Sequence, residues 1–433
     1  MSRMTQVRTS LIRPALTFLK DRAGSILTII GISAPVLVGI TALAVDVGYW
    51  YLSHRVNQTA ADAAAIAGAF ARLHGKGTTV AAAAKADAER NGVSITGSTV
   101  MTVNNPPTSG AYSGEDEAVE VIITMPQQTL LSGVIYSGSI TQKNRAVAMV
   151  KVQGNACILA LSGTASSAVK VWGSTFVEAK GCVIGSNSNA SNSIDIGGSS
   201  SLTAESLWAV GEISGYPSDH VSLTRAPYSD MWALDDPYAD LTIPSVSNCQ
   251  SLGNVNSSVT LNPGTYCDFK FQSKAVVTLK PGTYYIDSGD VAVAGGATVK
   301  CSCPNATDGV TIVMTSSHNS YGTVTINGGA NMTLNAPTDS NATYKGVLFA
   351  GDPKAPSGST QKFNGGANMN LNGALHFPNS DIQFNGDNSA SAVLCTQIIG
   401  NTIEFTGNSK VIDDGCKQAG IQPIEIKGVE IVE

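Results

Sequence analysis

The chain has 433 residues, room for about two to four domains and a sizeable buried core. Charged residues make up only 13%, whereas 44 Gly and 17 Pro accompany abundant Ser, Thr, Asn, Ala and Val, a balance that favours strand and turn over surface helix. The net charge of −6 argues against a nucleic-acid-binding chain, and 43% hydrophobic residues without a series of long apolar runs exclude both a disordered chain and a polytopic membrane protein.

From Gly24 to Val45 no residue is charged, and these 22 residues as a helix rise about 33 Å, the thickness of a bilayer core. Arg3, Arg8, Arg13, Lys20 and Arg22 precede the run against the single acid Asp21, and Asp46 and the aromatic group Tyr49, Trp50, Tyr51 follow it. This asymmetry predicts a single span with a cytoplasmic N-terminus and an exported remainder. Pro35 falls within the span, where Ser33 or a neighbouring helix is expected to satisfy the freed carbonyl. The rival reading is a secretory signal cleaved after Ala42-Leu43-Ala44; the long apolar run and the uninterrupted helical pattern beyond it favour the anchor.

Apolar or small residues recur at Leu52, Val56, Ala60, Ala63, Ala67, Phe70 and Leu73, so the membrane helix is expected to continue outward with a narrow face suited to close packing. Thr79 to Arg90 reads as a second Ala-rich helix ending at Asn91-Gly92, and Val119 to Thr124 and Ala146 to Val152 read as strands of a small α+β region that closes near Gly154.

Arg22 and Gly24, the Pro35-containing span, Val45-Asp46-Val47-Gly48 and the block from Gln58 through Asp62 to Ala69 together resemble the N-terminal module of TadG-like proteins of the tight-adherence (Flp-type) pilus machinery, over about residues 20 to 73. Asn57 and Ile66 depart from the family pattern. The resemblance implies a role among other pilus-assembly proteins, with Asp46, Gly48, Gln58 and Asp62 as contact residues. The metal motif of some relatives is not matched, because Gly197 in Asp195-Ile196-Gly197-Gly198-Ser199 lacks the first hydroxyl. Leader-peptidase processing at Gly24 is not expected either, since Ile29 stands where processed pilins carry Glu.

From about Ala156 the chain consists of short alternating segments punctuated by Gly, Asn, Asp and Pro. Val259-Thr260-Leu261-Asn262-Pro263-Gly264-Thr265-Tyr266 recurs 18 residues later from Val277, the string from Gly328 to Asn335 recurs 37 residues later from Gly365, and a weaker copy at Gly295 precedes it by 33 residues. One strand and one corner cannot bury an apolar face alone, so stacked copies predict a parallel β-helix-like solenoid, with a β-sandwich as the alternative. The spacing of 18 fits one compact coil; 33 to 37 fits two coils or one coil with an insertion. Residues 213 to 248, with Pro217, Pro227, Pro237 and Pro244, read as an excursion. The expected division is therefore a basic leader at 1–23, a span at 24–45, the Ala-rich α+β module at 46–154 and the solenoid at 155–433, mainly β overall.

All eight cysteines lie in this last part, which implies an oxidising compartment. Cys157 with Cys182, Cys249 with Cys267 and Cys395 with Cys416 are separated by coil-length gaps, so staples between adjacent coils are expected; Cys301 and Cys303 allow a local bridge or other partners. Cys301-Ser302-Cys303 lacks a second ligand pair at zinc spacing, and His54, His74, His220, His318 and His376 form no ligand string. Asp235-Asp236 and Asp413-Asp414 lie in turn contexts and read as structural. No cofactor, metal or catalytic group is expected. The function that follows is non-catalytic: an inner-membrane-anchored component of Flp-type pilus assembly or surface adhesion in a bacterium, its large domain periplasmic or surface-exposed, with a surface ligand or glycan as a further partner. The alternatives are a polysaccharide-active β-helix enzyme and a secreted adhesin with a cleaved signal.

Overall fold

The computed structural model describes residues 22–74, 79–134, 140–364, 368–386, 396–407, 410–412 and 420–433. The chain forms two compact units, the first running to Lys151 and taking back Lys427–Glu433, the second comprising Val152–Ile426. The return of the C-terminal segment to the first unit departs from the expected division, in which everything after 154 belonged to the solenoid.

In the first unit, helix α1 (Arg22–Leu73) runs unbroken for 52 residues with Pro35 inside it. Ser33 donates its hydroxyl to the carbonyl of Ile29 at 2.7 Å, one turn back, so it does not serve the carbonyl that Pro35 leaves free four residues earlier at Gly31. Helix α2 (Val80–Arg90) and strands β1 (Val100–Asn104), β2 (Ala118–Gln127) and β3 (Ile140–Ala160) complete the fold. Strands β1, β2 and β3 form an antiparallel sheet, with Thr102 opposite Ile122 and Val121 opposite Ala146, and the C-terminal residues add to it through Val432 N–H donating to Val147 O at 2.8 Å. The core is a layer of alanines from α1 (Ala60, Ala61, Ala64, Ala65, Ala69) against Val80, Ala84 and Ala88 of α2 and Val121 and Ile123 of β2. Small side chains bring the backbones close: a methyl group at Gly68 would stand 2.9 Å from Val119 Cγ1. The chemistry of this layer is therefore set by shape rather than by bulk.

The second unit is a β-helix-like solenoid of three parallel ladders. One coil reads Cys157 to Ala160 on the first ladder, Val169–Val171 on the second and Phe176 to Ala179 on the third, before Val183 returns to the first. The repeats seen in the sequence are coil neighbours: Val259 pairs in register with Val277, Thr298 with Asn331 and Met332 with Met369. The spacings of 33 and 37 are thus single coils enlarged by corner insertions. Residues Phe363, Phe384 and Phe405 stack face to face with centroids 5.3 Å apart along the second ladder, inside the coil. Where the second ladder turns to the third, Gly407, Gly173 and Gly198 stack with φ of +72°, +84° and +72°, and a Cβ at Gly198 would meet Gly173 O at 2.9 Å.

The order of stacking is not the order of sequence. Thr396–Gly400 pairs with the end of β3 (Ile398 with Ile158, Gly400 with Ala160), and Ile403 pairs with Val169. The chain thus enters the solenoid in mid-stack, winds to one end at Tyr228, and re-enters at the far end near Gln250. From there it winds back until its last coil abuts its first. The connection between the two ends is the segment 229–249, which runs along the outside of the first ladder. The start of the expected excursion is later than the prolines suggest, because Ile213 and Val221 still pair with Ile194 and Leu202 as coil strands.

This strap explains a difference between ladders. Strands of the second and third ladders bury alternate residues, as in Val291–Val293, whereas Val310–Thr315 and Val347–Gly351 of the first are buried at every position. Their inward side chains join the coil interior, and Val313, Val347 and Ala350 belong to a second buried cluster outside the coil that also contains Leu234 and Tyr238 of the strap. Burial on both faces is what continuous apolar runs in a parallel sheet report. Disulfides link Cys157 with Cys182 (Cα–Cα 5.7 Å) and Cys249 with Cys267 (4.9 Å) between adjacent coils, and Cys301 with Cys303 (5.3 Å) locally. Cys395, Cys416, Asp413 and Asp414 lie outside the described residues, as does most of the basic leader.

Candidate functional site at the helix collar

Asp46 is buried on α1, one residue past the apolar run, and the chain of its own unit wraps it. Its Oδ1 accepts the backbone N–H of Leu130 and of Leu131, both at 3.0 Å, and its Oδ2 accepts the N–H of Ser132 at 2.8 Å and the Ser132 hydroxyl. Successive amides that converge on one carboxylate in this way form an anion nest: the loop supplies the donors and the helix side chain supplies the charge. The loop's other end is held by Trp50, whose indole Nε1–H donates to Gln128 O at 3.0 Å, and Gln142 of β3 donates to Trp50 O at 2.8 Å. Together these contacts form a collar around α1 at residues 46 to 50.

One to three turns further along, the polar edge of α1 is tied to β3. Gln58 Nε2 donates to Asp62 Oδ1 at 2.8 Å and to Arg145 O at 2.9 Å, and its Oε1 accepts from Asn144 at 3.3 Å. Asn144 Nδ2 also lies 2.7 Å from His54 Nδ1. Asn57 is buried with its amide toward Ser53 Oγ and Met125 Sδ, which accounts for a polar residue where an apolar one is usual. Of the four residues singled out by resemblance, Asp46, Gln58 and Asp62 therefore spend their hydrogen bonds within the chain, and Gly48 faces open space, with nothing within 4 Å of a Cβ placed on it.

A second buried carboxylate, Glu120 on β2, was not singled out from the sequence. Burial pushes its carboxyl up, but donors outweigh it: Asn104 Nδ2 at 2.7 Å, Arg145 Nε at 2.6 Å, Ser109 Oγ at 2.7 Å, and Thr108 through N–H and hydroxyl at 3.1 and 2.9 Å. They hold it at about 2. Arg145 also pairs with Glu433, and Glu433 accepts Ala111 N–H at 2.9 Å, so this cluster fastens the returning C-terminal segment. The available signal was an acid placed in the middle of the apolar run Ala118-Val119-Glu120-Val121-Ile122.

In the second unit, Asp195 accepts the Ser167 hydroxyl at 2.9 Å, and Trp172 covers Gly197, leaving no room for a ligand hydroxyl there. Asp236 holds the strap: its Oδ1 accepts Tyr238 N–H at 2.9 Å and its Oδ2 accepts His376 Nε2–H at 2.9 Å. Tyr238 packs on the His376 ring with centroids 5.4 Å apart, and burial pushes its phenol up to about 12. Asn187 clamps Leu234 through both backbone groups, at 2.8 and 2.9 Å. Among the described residues no group of three His, Cys, Asp or Glu side chains is arranged to hold a metal ion.

Residues 24–72, which include Asp46, Trp50, Gln58 and Asp62 but not the loop and β3 residues that bind them, match the family model Tad, described as Putative Flp pilus-assembly TadE/G-like. Neither the curated proteins nor the solved structures contain a match to the chain.

Proposed function

We propose that the chain is an inner-membrane-anchored, non-catalytic structural component of Flp-type pilus assembly or surface adhesion. In this reading α1 crosses the membrane once with the basic leader in the cytoplasm, and the solenoid serves outside as a rigid, disulfide-linked contact surface for other assembly proteins or a surface ligand. The observation that carries it is the change of environment along α1. The helix is exposed and apolar at Ile26 (59%), Leu27 (78%) and Val38 (68%), and from Asn57 onward it buries one face, with Ala60, Ala61, Ala64, Ala65 and Ala69, in the core of its own unit. A helix that leaves its most apolar half uncovered while packing its alanine-rich half has the pattern of a membrane anchor that continues into a folded module. The Tad match covers both halves. Parallel ladders with polar outer rows provide extended binding surface without chemistry.

The test joins location with phenotype. Alkaline washing is expected to leave the full chain in the membrane, protease is expected to reach the solenoid in spheroplasts, and deletion of the gene is expected to impair pilus display or attachment. A soluble product beginning at Val45, or normal piliation and attachment in the deletion strain, would refute the corresponding half of the proposal.

A further inference from the structure

Helix α1 carries its collar where the apolar run ends, and the loop that forms the collar is itself apolar. Leu130 and Leu131 are 54% and 49% exposed, and Leu131 lines a groove with Val38, Thr41 and Ala42 of α1. Those helix residues lie one to two turns before Asp46, a displacement of about 6 to 12 Å at about 1.5 Å per residue. If the run Gly24 to Val45 occupies the bilayer core, that displacement points into the bilayer. Irregular backbone survives at such a depth only when its amides are satisfied within the protein. At Leu130, Leu131 and Ser132 that condition is met by a single side chain, since all three amides donate to Asp46. Exposed leucines whose own amides are already paired are suited to lipid; in water, the same amides would have needed no buried carboxylate.

We propose that Gln128–Ser132 is a membrane-inserted tuck: Leu130 and Leu131 enter the acyl region beside the span, and Asp46 is the positioning residue that makes their backbone compatible with it. The partner is the lipid bilayer itself, and the proposal rests on the reading of α1 as an anchor. Trp50, pinned to Gln128 O, and the neighbouring Tyr49 and Tyr51 supply the aromatic belt at the level where the loop leaves the helix. The tuck gives the anchor a second point of membrane contact and so fixes the rotation of α1, which a lone helix leaves free.

The experiment uses the full chain in phosphatidylcholine–phosphatidylglycerol vesicles. A thiol-reactive fluorophore is placed at Leu131→Cys, at Ile32→Cys within the span or at Ser98→Cys on an exposed turn, with the identically treated parent chain as background. Brominated lipids are expected to quench Leu131 and Ile32 strongly and Ser98 little, with aqueous iodide giving the reverse order. Quenching of Ile32 by lipid with Leu131 open to iodide overturns the tuck and leaves the anchor standing; both positions open to iodide overturns the anchor and the tuck with it. Protection of the Leu131 position from both quenchers, with disulfide-linked dimers formed by the unlabelled Leu131→Cys chain, assigns the groove to a second copy and overturns the lipid proposal. In the Asp46→Asn background, quenching of Leu131 by lipid is expected to fall while that of Ile32 persists; unchanged quenching at Leu131 would overturn the positioning role of Asp46.

Discussion

Ile398 pairs in parallel register with Ile158, so the last complete coil of the solenoid closes against the one at which the chain entered it. The two growing halves of the stack therefore share an internal seam, with strands of all three ladders paired across it among the described residues. The seam is supported from inside by the phenylalanine column, whose last member, Phe405, pairs with Val171 of the entry coil.

Phe384 stands in the middle of that column, 5.3 Å from the rings of Phe363 and Phe405 and almost fully buried. Phe384→Ala is expected to destabilise the second unit by about 3 to 5 kcal/mol, read as a lower midpoint in denaturant melts followed by tryptophan emission. A loss under about 1 kcal/mol would mean that the column relaxes around the gap and does not carry the seam.

The strap makes a separate prediction. Removing Asp236 leaves His376 Nε2 buried without its acceptor, and Asp236→Ala is expected to cost about 1 to 3 kcal/mol. The loss should appear as faster proteolytic cleavage within residues 229–249 before the coils unfold. Cleavage at the parental rate would show that Asn187 and the bond from Trp208 Nε1–H to Trp232 O hold the segment without this pair.

Glu120 links stability to pH. Its folded-state value of about 2 lies below the ordinary 4.5, so its contribution is complete above about pH 4.5 and is lost as pH falls toward 2. On the order of 3 kcal/mol is at stake. Glu120→Gln should therefore lower the melting temperature of the first unit at pH 6, and the gap from the parent should narrow as pH drops through that window. A gap that does not change with pH would contradict the assignment.

Cys249 and Cys267 close 18 residues where the strap re-enters the stack. Replacing both by Ser is expected to cost about 3 kcal/mol by the loop-entropy relation. Non-reducing peptide maps supply the check on the bridge itself, and free thiols at these two positions would remove its basis.

Much of this was legible where the sequence repeats itself. The strings at Val259 and Val277 are strand neighbours, and those at Gly328 and Gly365 lead into strands that pair at Met332 and Met369, because a coil imposes the same corner and the same inward positions on each copy. The length of α1 followed from its spacing, since Pro35 costs one hydrogen bond and the Ala-rich face continues past it. The seam left no mark, because parallel pairing of Ile398 with Ile158 requires only two apolar β-branched residues, which every coil has. The partners of Asp46 were hidden for a different reason: they are backbone amides 84 to 86 residues away, and amides carry no side-chain signature. The strap did leave a trace in the consecutive apolar residues Ile312-Val313-Met314 and Val347-Leu348-Phe349-Ala350, where alternation fails because both faces are covered.

A pilus-related solenoid is expected to work only when α1 ties it to the membrane. The most direct measurement is the piliation of cells in which Gly24 to Val45 is replaced by a cleavable export signal, with the solenoid shown by its protease resistance to be exported and folded. Such cells are expected to lose pilus display as deletion cells do; pili at the parental level, made with a freely soluble solenoid, would show that the anchor is dispensable.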